Sequence, residues 1–82
     1  MLEKLTVKKQ TLKPEDYAVI AQHASKYKSD IRIIKNNVNV NAKSIMGLIS
    51  LVIGSGDEVY LSVAGTDEEK CAEDMKALFG RL

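Results

Sequence analysis

The chain has no tryptophan and only one cysteine, one histidine, one proline and one phenylalanine in 82 residues. Cys71 alone cannot form an internal disulfide bond, and one thiol with one histidine is too small a ligand set for a structural metal site. No apolar run approaches the ~20 residues of a membrane-spanning helix, and no basic head precedes an apolar stretch at the N-terminus. We therefore expect a cytoplasmic protein that binds no metal, no cofactor and no membrane.

Apolar residues make up 45% of the chain and charged residues 28%, which suits one compact domain over residues 1–82. The charges are unevenly divided: residues 1–43 carry nine lysines and arginines against four acids, and residues 44–82 carry three against seven. The basic half offers only Tyr17 and Tyr27 for stacking on bases and contains no nucleic-acid-binding motif. We expect a polarised molecule that does not bind nucleic acid directly.

The periodicity of apolar residues predicts four strands and three helices in the order βαββαβα. We expect strands at 2–9, 31–35, 38–41 and 58–64, and helices at 14–27, at 45–52 and from residue 66 onward. This order favours an α+β fold, an open-faced β-sandwich in which a four-stranded, mostly antiparallel sheet carries all three helices on one face.

Local signals place the ends of these elements. Pro14 suits a first helical position, and the Asn36-Asn37 pair suits the tight turn of a hairpin. Thr66 with Glu69 predicts a capping box at the start of the last helix. Cys71 falls on the inward face of that helix, where a small core residue is expected rather than a redox switch.

The segment from Asn41 to Leu51, NAKSIMGLISL, resembles the HPr family of the bacterial sugar phosphotransferase system, in particular its Crh-like regulatory members. The likeness continues through residues 24–31 and covers the whole chain in length and strand pattern. A Lys-Ser-Ile-Met-Gly block at a helix start is far more distinctive than a lone glycine motif. The resemblance implies that Ser44 is phosphorylated by HPr kinase/phosphorylase, an ATP-dependent enzyme.

Phosphocarrier members of this family carry a phosphoryl-accepting histidine at the start of the first helix, and this chain does not. Counting from the strand puts Pro14 at that position, and counting back from the helix puts Lys13 there. Proline has no nucleophile, and a solvated lysine stays protonated at neutral pH. Glu15 and Asp16 would also repel a phosphoryl group. We therefore expect no catalytic residue and no phosphorelay, and we interpret mid-helix His23 as a structural residue without an acidic partner.

Ser44 has two compatible interpretations. The simpler is a helix cap, whose side-chain oxygen accepts a hydrogen bond from a free backbone amide. The family resemblance adds phosphorylation, which a helix N-terminus tolerates because its amides and dipole favour negative charge. Lys43, next to Ser44, would pair with the phosphate.

The helix after Ser44 is apolar on nearly every side, so its residues cannot all face the sheet. We expect Leu48, Leu51 and Val52 in the core. The remaining apolar residues would form an exposed, partner-binding patch beside the serine, as such patches usually mark protein interfaces. These residues are Ile45, Met46 and Ile49.

The resemblance implies two protein partners: HPr kinase/phosphorylase, and a LacI-type catabolite control regulator or another protein. The alternative for the apolar patch is a homodimer, in which a second copy of the chain covers it. The leading hypothesis is a non-catalytic, Crh-like regulatory module. One alternative is a phosphocarrier that uses an atypical acceptor. The other is a purely structural or dimerising domain in which Ser44 is only a cap.

Overall fold

The computed structural model describes all residues from Met1 to Leu82 and has the predicted element order. The elements are β1 (Leu2–Leu5), α1 (Pro14–Ala24), β2 (Asp30–Lys35), β3 (Val38–Asn41), α2 (Ile45–Ser50), β4 (Val59–Ala64) and α3 (Glu68–Arg81). The predicted α+β class and the order βαββαβα are confirmed. No helix is both long and apolar enough to cross a bilayer.

The four strands form one sheet in the order β1-β4-β2-β3, and every neighbouring pair is antiparallel. Alternate side chains point to opposite faces. On β4, the buried Val59, Leu61 and Val63 face the helices. The opposite face, which includes Tyr60 and its cross-strand neighbour Ile34, carries no covering helix. The sheet is therefore open on one side, as predicted.

The hydrophobic core lies between the covered face of the sheet and the helices. Its largest fully buried side chains come from both layers, so burial of apolar surface joins the two. They include Phe79, Ile20, Ile31, Ile33, Leu48, Ile53, Leu61 and Met75.

The first strand is shorter than predicted. It ends at Leu5, which lies opposite Val59, the first residue of β4. Residues after Leu5 have no partner left on β4, so the alternating sequence up to Lys9 continues as a loop. The backbone of this loop is instead bonded to the connector after α2, through Leu12 N to the Ile53 carbonyl at 2.8 Å.

The helix ends also differ from the predictions. Helix α1 ends at Ala24 rather than Tyr27, and Ser25 donates its hydroxyl to the Ala21 carbonyl at 2.8 Å. Helix α3 is capped by Asp67, so the predicted capping box at Thr66 is wrong. Asp67 is held there because its carboxylate accepts the Lys28 amide hydrogen at 2.8 Å across the α1–β2 segment.

Candidate functional site

At the start of α1, where the resemblance places a histidine, the carboxylate of Asp16 binds the N-cap amide. Lys13 is the N-cap residue and Pro14 the first helical residue, and both are exposed. Asp16 is only 8% exposed and accepts the Lys13 amide hydrogen at 2.8 Å and the Lys9 ammonium at 2.9 Å. The hydrogen bond from the Lys13 amide makes the largest contribution to lowering the pKa of Asp16 below its ordinary value, and Lys9 lowers it further. These effects outweigh burial, which raises the pKa.

Sequence reasoning treated Glu15 and Asp16 alike, and the structure separates them. Glu15 is exposed to solvent, whereas Asp16 turns inward and is neutralised by Lys9. The amide at the N-cap of α1 is therefore already bonded within the chain. Neither Lys13 nor Pro14 gains a partner that would make it a phosphoryl acceptor.

The loop before α1 lies against the connector that follows α2. Ser55 donates its amide hydrogen to the Gln10 carbonyl at 3.3 Å, and a Cβ on Gly54 would overlap that same carbonyl oxygen. Tyr17 in α1 accepts the buried Ile53 amide hydrogen on its hydroxyl at 2.8 Å. The loop before α1 and the connector after α2 are therefore packed against each other.

Ser44 is the N-cap of α2, as predicted. It has extended backbone angles, and its hydroxyl oxygen accepts the Gly47 amide hydrogen at 3.2 Å. Its carbonyl accepts the Leu48 amide hydrogen at 3.0 Å and so starts the helix. The side chain is half-buried. The hydroxyl is thus fixed at the helix start by one weak hydrogen bond.

Lys43 is adjacent to Ser44 in the chain, but its ammonium is bonded elsewhere. Nζ donates to the Tyr27 carbonyl at 2.8 Å, and the Lys43 amide donates to the Asn41 side chain at 2.9 Å. In the unmodified protein the Lys43 ammonium therefore has the Tyr27 carbonyl, and not Ser44, as its partner.

The predicted apolar patch is exposed on α2. Met46 is 78% exposed, and Ile45 and Ile49 are 43% and 38% exposed. We call these three residues the α2 patch. The helix carries no charged residue in its first or last turn. The α2 patch is therefore an uncharged apolar surface directly after Ser44.

The prediction that Val52 belongs to the core is wrong. Helix α2 ends at Ser50, and Leu48 and Leu51 are buried as predicted, but Val52 is 67% exposed with a φ of 50°. This left-handed conformation turns the chain so that Ile53, rather than Val52, enters the core. Lys35 donates to the Val52 carbonyl at 2.6 Å and holds the turn.

Comparison with known proteins assigns the family. The model described as the PTS HPr component phosphorylation site matches residues 7–81. The chain belongs to the HPr family. It is 44% identical over 79 residues to the HPr-like protein Crh of Halalkalibacterium halodurans, which is 94% of each chain.

Solved structures agree with this assignment. The phosphocarrier protein HPr of Bacillus anthracis superposes with a TM-score of 0.88 at 35% identity, over 95% of this chain and 94% of that one. Crh of Bacillus subtilis superposes with a TM-score of 0.80 at 38% identity, over 89% and 84%, and is described as a dimer with a swapped domain. The expected HPr-like fold is confirmed.

This HPr-family chain also contains a cluster that sequence reasoning missed. Tyr27 donates its hydroxyl to Asp74 in α3 at 2.6 Å, and Asp74 lies 3.5 Å from His23 Nδ1. The expectation that His23 has no acidic partner is wrong. Tyr27 and Asp74 are 47 positions apart, so no local pattern signals the contact. The Asp74 carboxylate, with burial, raises the pKa of Tyr27 to about 12.

Cys71 is a core residue, as predicted. Its side chain is fully buried on the inner face of α3. Burial raises the pKa of the Cys71 thiol to about 11, so the thiol is protonated and unreactive at neutral pH.

Proposed function

We propose that this HPr-family protein is a Crh-like regulatory module that HPr kinase/phosphorylase phosphorylates on Ser44 in the cytoplasm. The observation that carries the proposal is the position of Ser44. The serine caps a helix whose exposed residues form an apolar surface directly after it. A charge added at Ser44 would therefore lie at the border of a surface suited to protein docking.

The proposed reaction is a phosphoryl transfer from ATP. The Ser44 hydroxyl oxygen forms a bond to the γ-phosphorus while the bond from that phosphorus to the β-γ bridging oxygen breaks, and ADP leaves. The hydroxyl proton passes to a base of the kinase. The product carries about two negative charges at neutral pH, at a helix start where backbone amides favour an anion.

The start of α1 argues against a phosphocarrier role. Proline has no side-chain nucleophile, and the exposed Lys13 lacks the burial that would activate its amine, so we propose neither residue as an acceptor. The Lys13 amide, which would otherwise be free for an anion, is bonded to Asp16 at 2.8 Å. Incubation with phosphoenolpyruvate and enzyme I is expected to leave no acid-labile phosphoryl group on the protein.

The α2 patch is the proposed contact for the kinase and for a LacI-type catabolite control regulator. An apolar surface supplies binding free energy by burial, and the phosphate beside it supplies a charge that only the modified protein carries. Lys43 is the charged residue nearest in sequence to both. In this proposal the regulator binds only after Ser44 has been phosphorylated.

We also propose a homodimer, on the basis of the swapped-domain dimer described for Bacillus subtilis Crh. Strand β1 lies at the edge of the sheet and pairs only with β4. Eight residues, 6–13, connect it to α1 without regular structure. An edge strand of this kind can be exchanged between two copies as an identical element. Sedimentation at several protein concentrations tests this assembly.

Treatment with HPr kinase/phosphorylase and ATP tests the proposal. The intact mass is expected to rise by about 80 Da, the mass of one phosphoryl group. Ser44→Ala should abolish this rise. Ser50→Ala is the matched control, because Ser50 lies in the same helix, is exposed and bonds only to the Gly47 carbonyl. An unmodified wild-type protein, or a modified Ser44→Ala variant, would contradict the proposal.

A further inference from the structure

Lys43 connects the Ser44 region to a distant part of the fold. Its Nζ donates to the carbonyl of Tyr27, which lies 16 positions earlier, after the end of α1. The side chain of Lys43 is half-buried in this position. The residue next to the proposed phosphorylation site thus holds the backbone of the segment that leads from α1 to β2.

Tyr27 in turn joins that segment to α3. Its hydroxyl donates to Asp74 at 2.6 Å, and Asp74 lies 3.5 Å from His23 Nδ1. We call Tyr27, Asp74 and His23 the tyrosine cluster. His23 Nδ1 is buried, and its contact with Asp74 does not have the geometry of a hydrogen bond. The tyrosine cluster is therefore an incompletely satisfied polar network that depends on the bond between Tyr27 and Asp74.

We propose that Lys43 couples the charge state of Ser44 to the tyrosine cluster, an inference that rests on the proposed phosphorylation of Ser44. In the unmodified protein the Lys43 ammonium binds a neutral carbonyl. A phosphate on Ser44 would be a dianionic acceptor beside the Lys43 ammonium. A charged acceptor forms a stronger hydrogen bond than a neutral carbonyl does. The phosphate therefore competes with the Tyr27 carbonyl for the ammonium and weakens the bond between Lys43 and that carbonyl.

This weakening acts on a short segment. The amides of Lys28 and Ser29 are held by Asp67 at 2.8 and 3.0 Å, so the chain beyond Tyr27 stays anchored to the start of α3. Before Tyr27, the amides of Lys26 and Tyr27 form 3.2 Å bonds to the last carbonyls of α1. Phosphorylation should therefore loosen residues 25–27 and the contact of Tyr27 with Asp74.

This coupling satisfies the thermodynamic requirement for communication between sites. The Lys43 ammonium has two alternative partners, and phosphorylation changes the stability of only one of them. The consequence is a second surface, around His23 and Tyr27, that differs between the two forms of the protein. A partner that contacts this surface would distinguish them without touching Ser44.

Amide hydrogen exchange measured by NMR tests the coupling on the full chain. In the wild type, phosphorylation should make the Lys26 and Tyr27 amides exchange several-fold faster, while the Lys28 amide is unchanged. Lys43→Met removes the ammonium, so the unphosphorylated variant should already exchange fast at both amides. Phosphorylation of this variant should cause no further change there.

Lys28→Met is the matched control, because Lys28 is exposed and its side chain forms no hydrogen bond or ion pair. Its Lys26 and Tyr27 amides should respond to phosphorylation as the wild type does. Unchanged exchange in a wild-type protein whose mass proves phosphorylation would overturn the coupling alone. Slow exchange at Tyr27 in unphosphorylated Lys43→Met would also overturn it. Failure of the kinase to modify Ser44 would overturn the proposed function together with the coupling.

Discussion

At the scale of single residues, Asp16 sets the charge at the start of α1. Its carboxylate is almost fully buried and accepts hydrogen bonds from Lys13 and Lys9. The negative charge that stabilises the start of α1 is therefore part of the chain itself. This bonded carboxylate at the start of α1 supports the proposal that the chain is not a phosphocarrier.

Asp16→Asn tests this arrangement. We expect a loss of about 1–2 kcal/mol in the free energy of unfolding at pH 7, since hydrogen bonds to an ionised group are lost. The folded pKa of Asp16 lies below the ordinary value of 3.8, so the stabilisation is complete above that value and disappears as pH falls through the folded pKa. Urea unfolding of both proteins between neutral and strongly acidic pH provides the measurement.

The control for this prediction is Asp30→Asn. Asp30 is an exposed carboxylate 3.1 Å from the Arg32 guanidinium, and exposed pairs contribute little. Its substitution should leave stability at pH 7 within about 0.5 kcal/mol of the wild type. A stability gap between wild type and Asp16→Asn that persists below the folded pKa would contradict the role of the Asp16 charge.

At the scale of elements, one buried hydroxyl joins α1 to the connector after α2. Tyr17 accepts the Ile53 amide hydrogen at 2.8 Å, and no other polar group serves that buried amide. Tyr17→Phe should destabilise the fold by about 1–3 kcal/mol, the cost of an unsatisfied buried amide. Tyr60→Phe on the open sheet face, where the hydroxyl has no hydrogen bond, should be neutral. Equal stability of the two variants in thermal unfolding would contradict this account.

The exposed face of α2 is the second element to test. Met46→Ser removes the most exposed apolar side chain of the α2 patch and should barely change stability. Binding of the phosphorylated protein to the regulator should weaken by at least about tenfold, since interface contacts of this kind contribute 1 kcal/mol or more. Calorimetric titration measures this affinity.

Leu2→Ser is the control, because Leu2 is apolar and 64% exposed but lies on β1, outside the α2 patch. Its variant should bind the regulator with unchanged affinity. If Met46→Ser binds as tightly as the wild type, docking at the α2 patch is wrong.

The sequence predicts the middle of each element better than its ends. Alternation on β4 and the helical spacing in α3 identify their buried faces, because burial of one face leaves a periodic pattern. The end of β1 depends on where β4 begins, and the cap of α3 depends on the distant Lys28 amide. These are tertiary contacts, so local signals such as Thr66 or the alternation up to Lys9 do not report them.

The same limit applies to the candidate site. The Ser44 cap and the α2 patch lie within a few residues of each other and were predictable. The exposure of Val52 was not predictable. It follows from a left-handed backbone conformation, which is an outlier for valine and has no signal in the sequence. The partners of His23 and Lys43 come from other elements and emerge only from the packing of α1 against α3 and α2.

At the scale of the whole molecule, phosphorylation would reverse the sign of the net charge. The chain has a formal net charge of +1 at pH 7, and a phosphoserine adds about −2. The added charge would fall at the junction between the basic residues 1–43 and the acidic remainder. A partner that recognises the phosphorylated form therefore meets a changed electrostatic surface as well as the α2 patch.

The central claim is that this HPr-family protein keeps the regulatory serine and lacks the carrier function. Its most direct test treats parallel samples with the kinase and ATP, with enzyme I and phosphoenolpyruvate, and with both, and locates every phosphoryl group by fragmentation mass spectrometry without acid treatment. We predict one phosphoryl group, on Ser44, which requires the kinase and ATP. A phosphoryl group on another residue that depends on enzyme I, or an unmodified Ser44, would contradict the account.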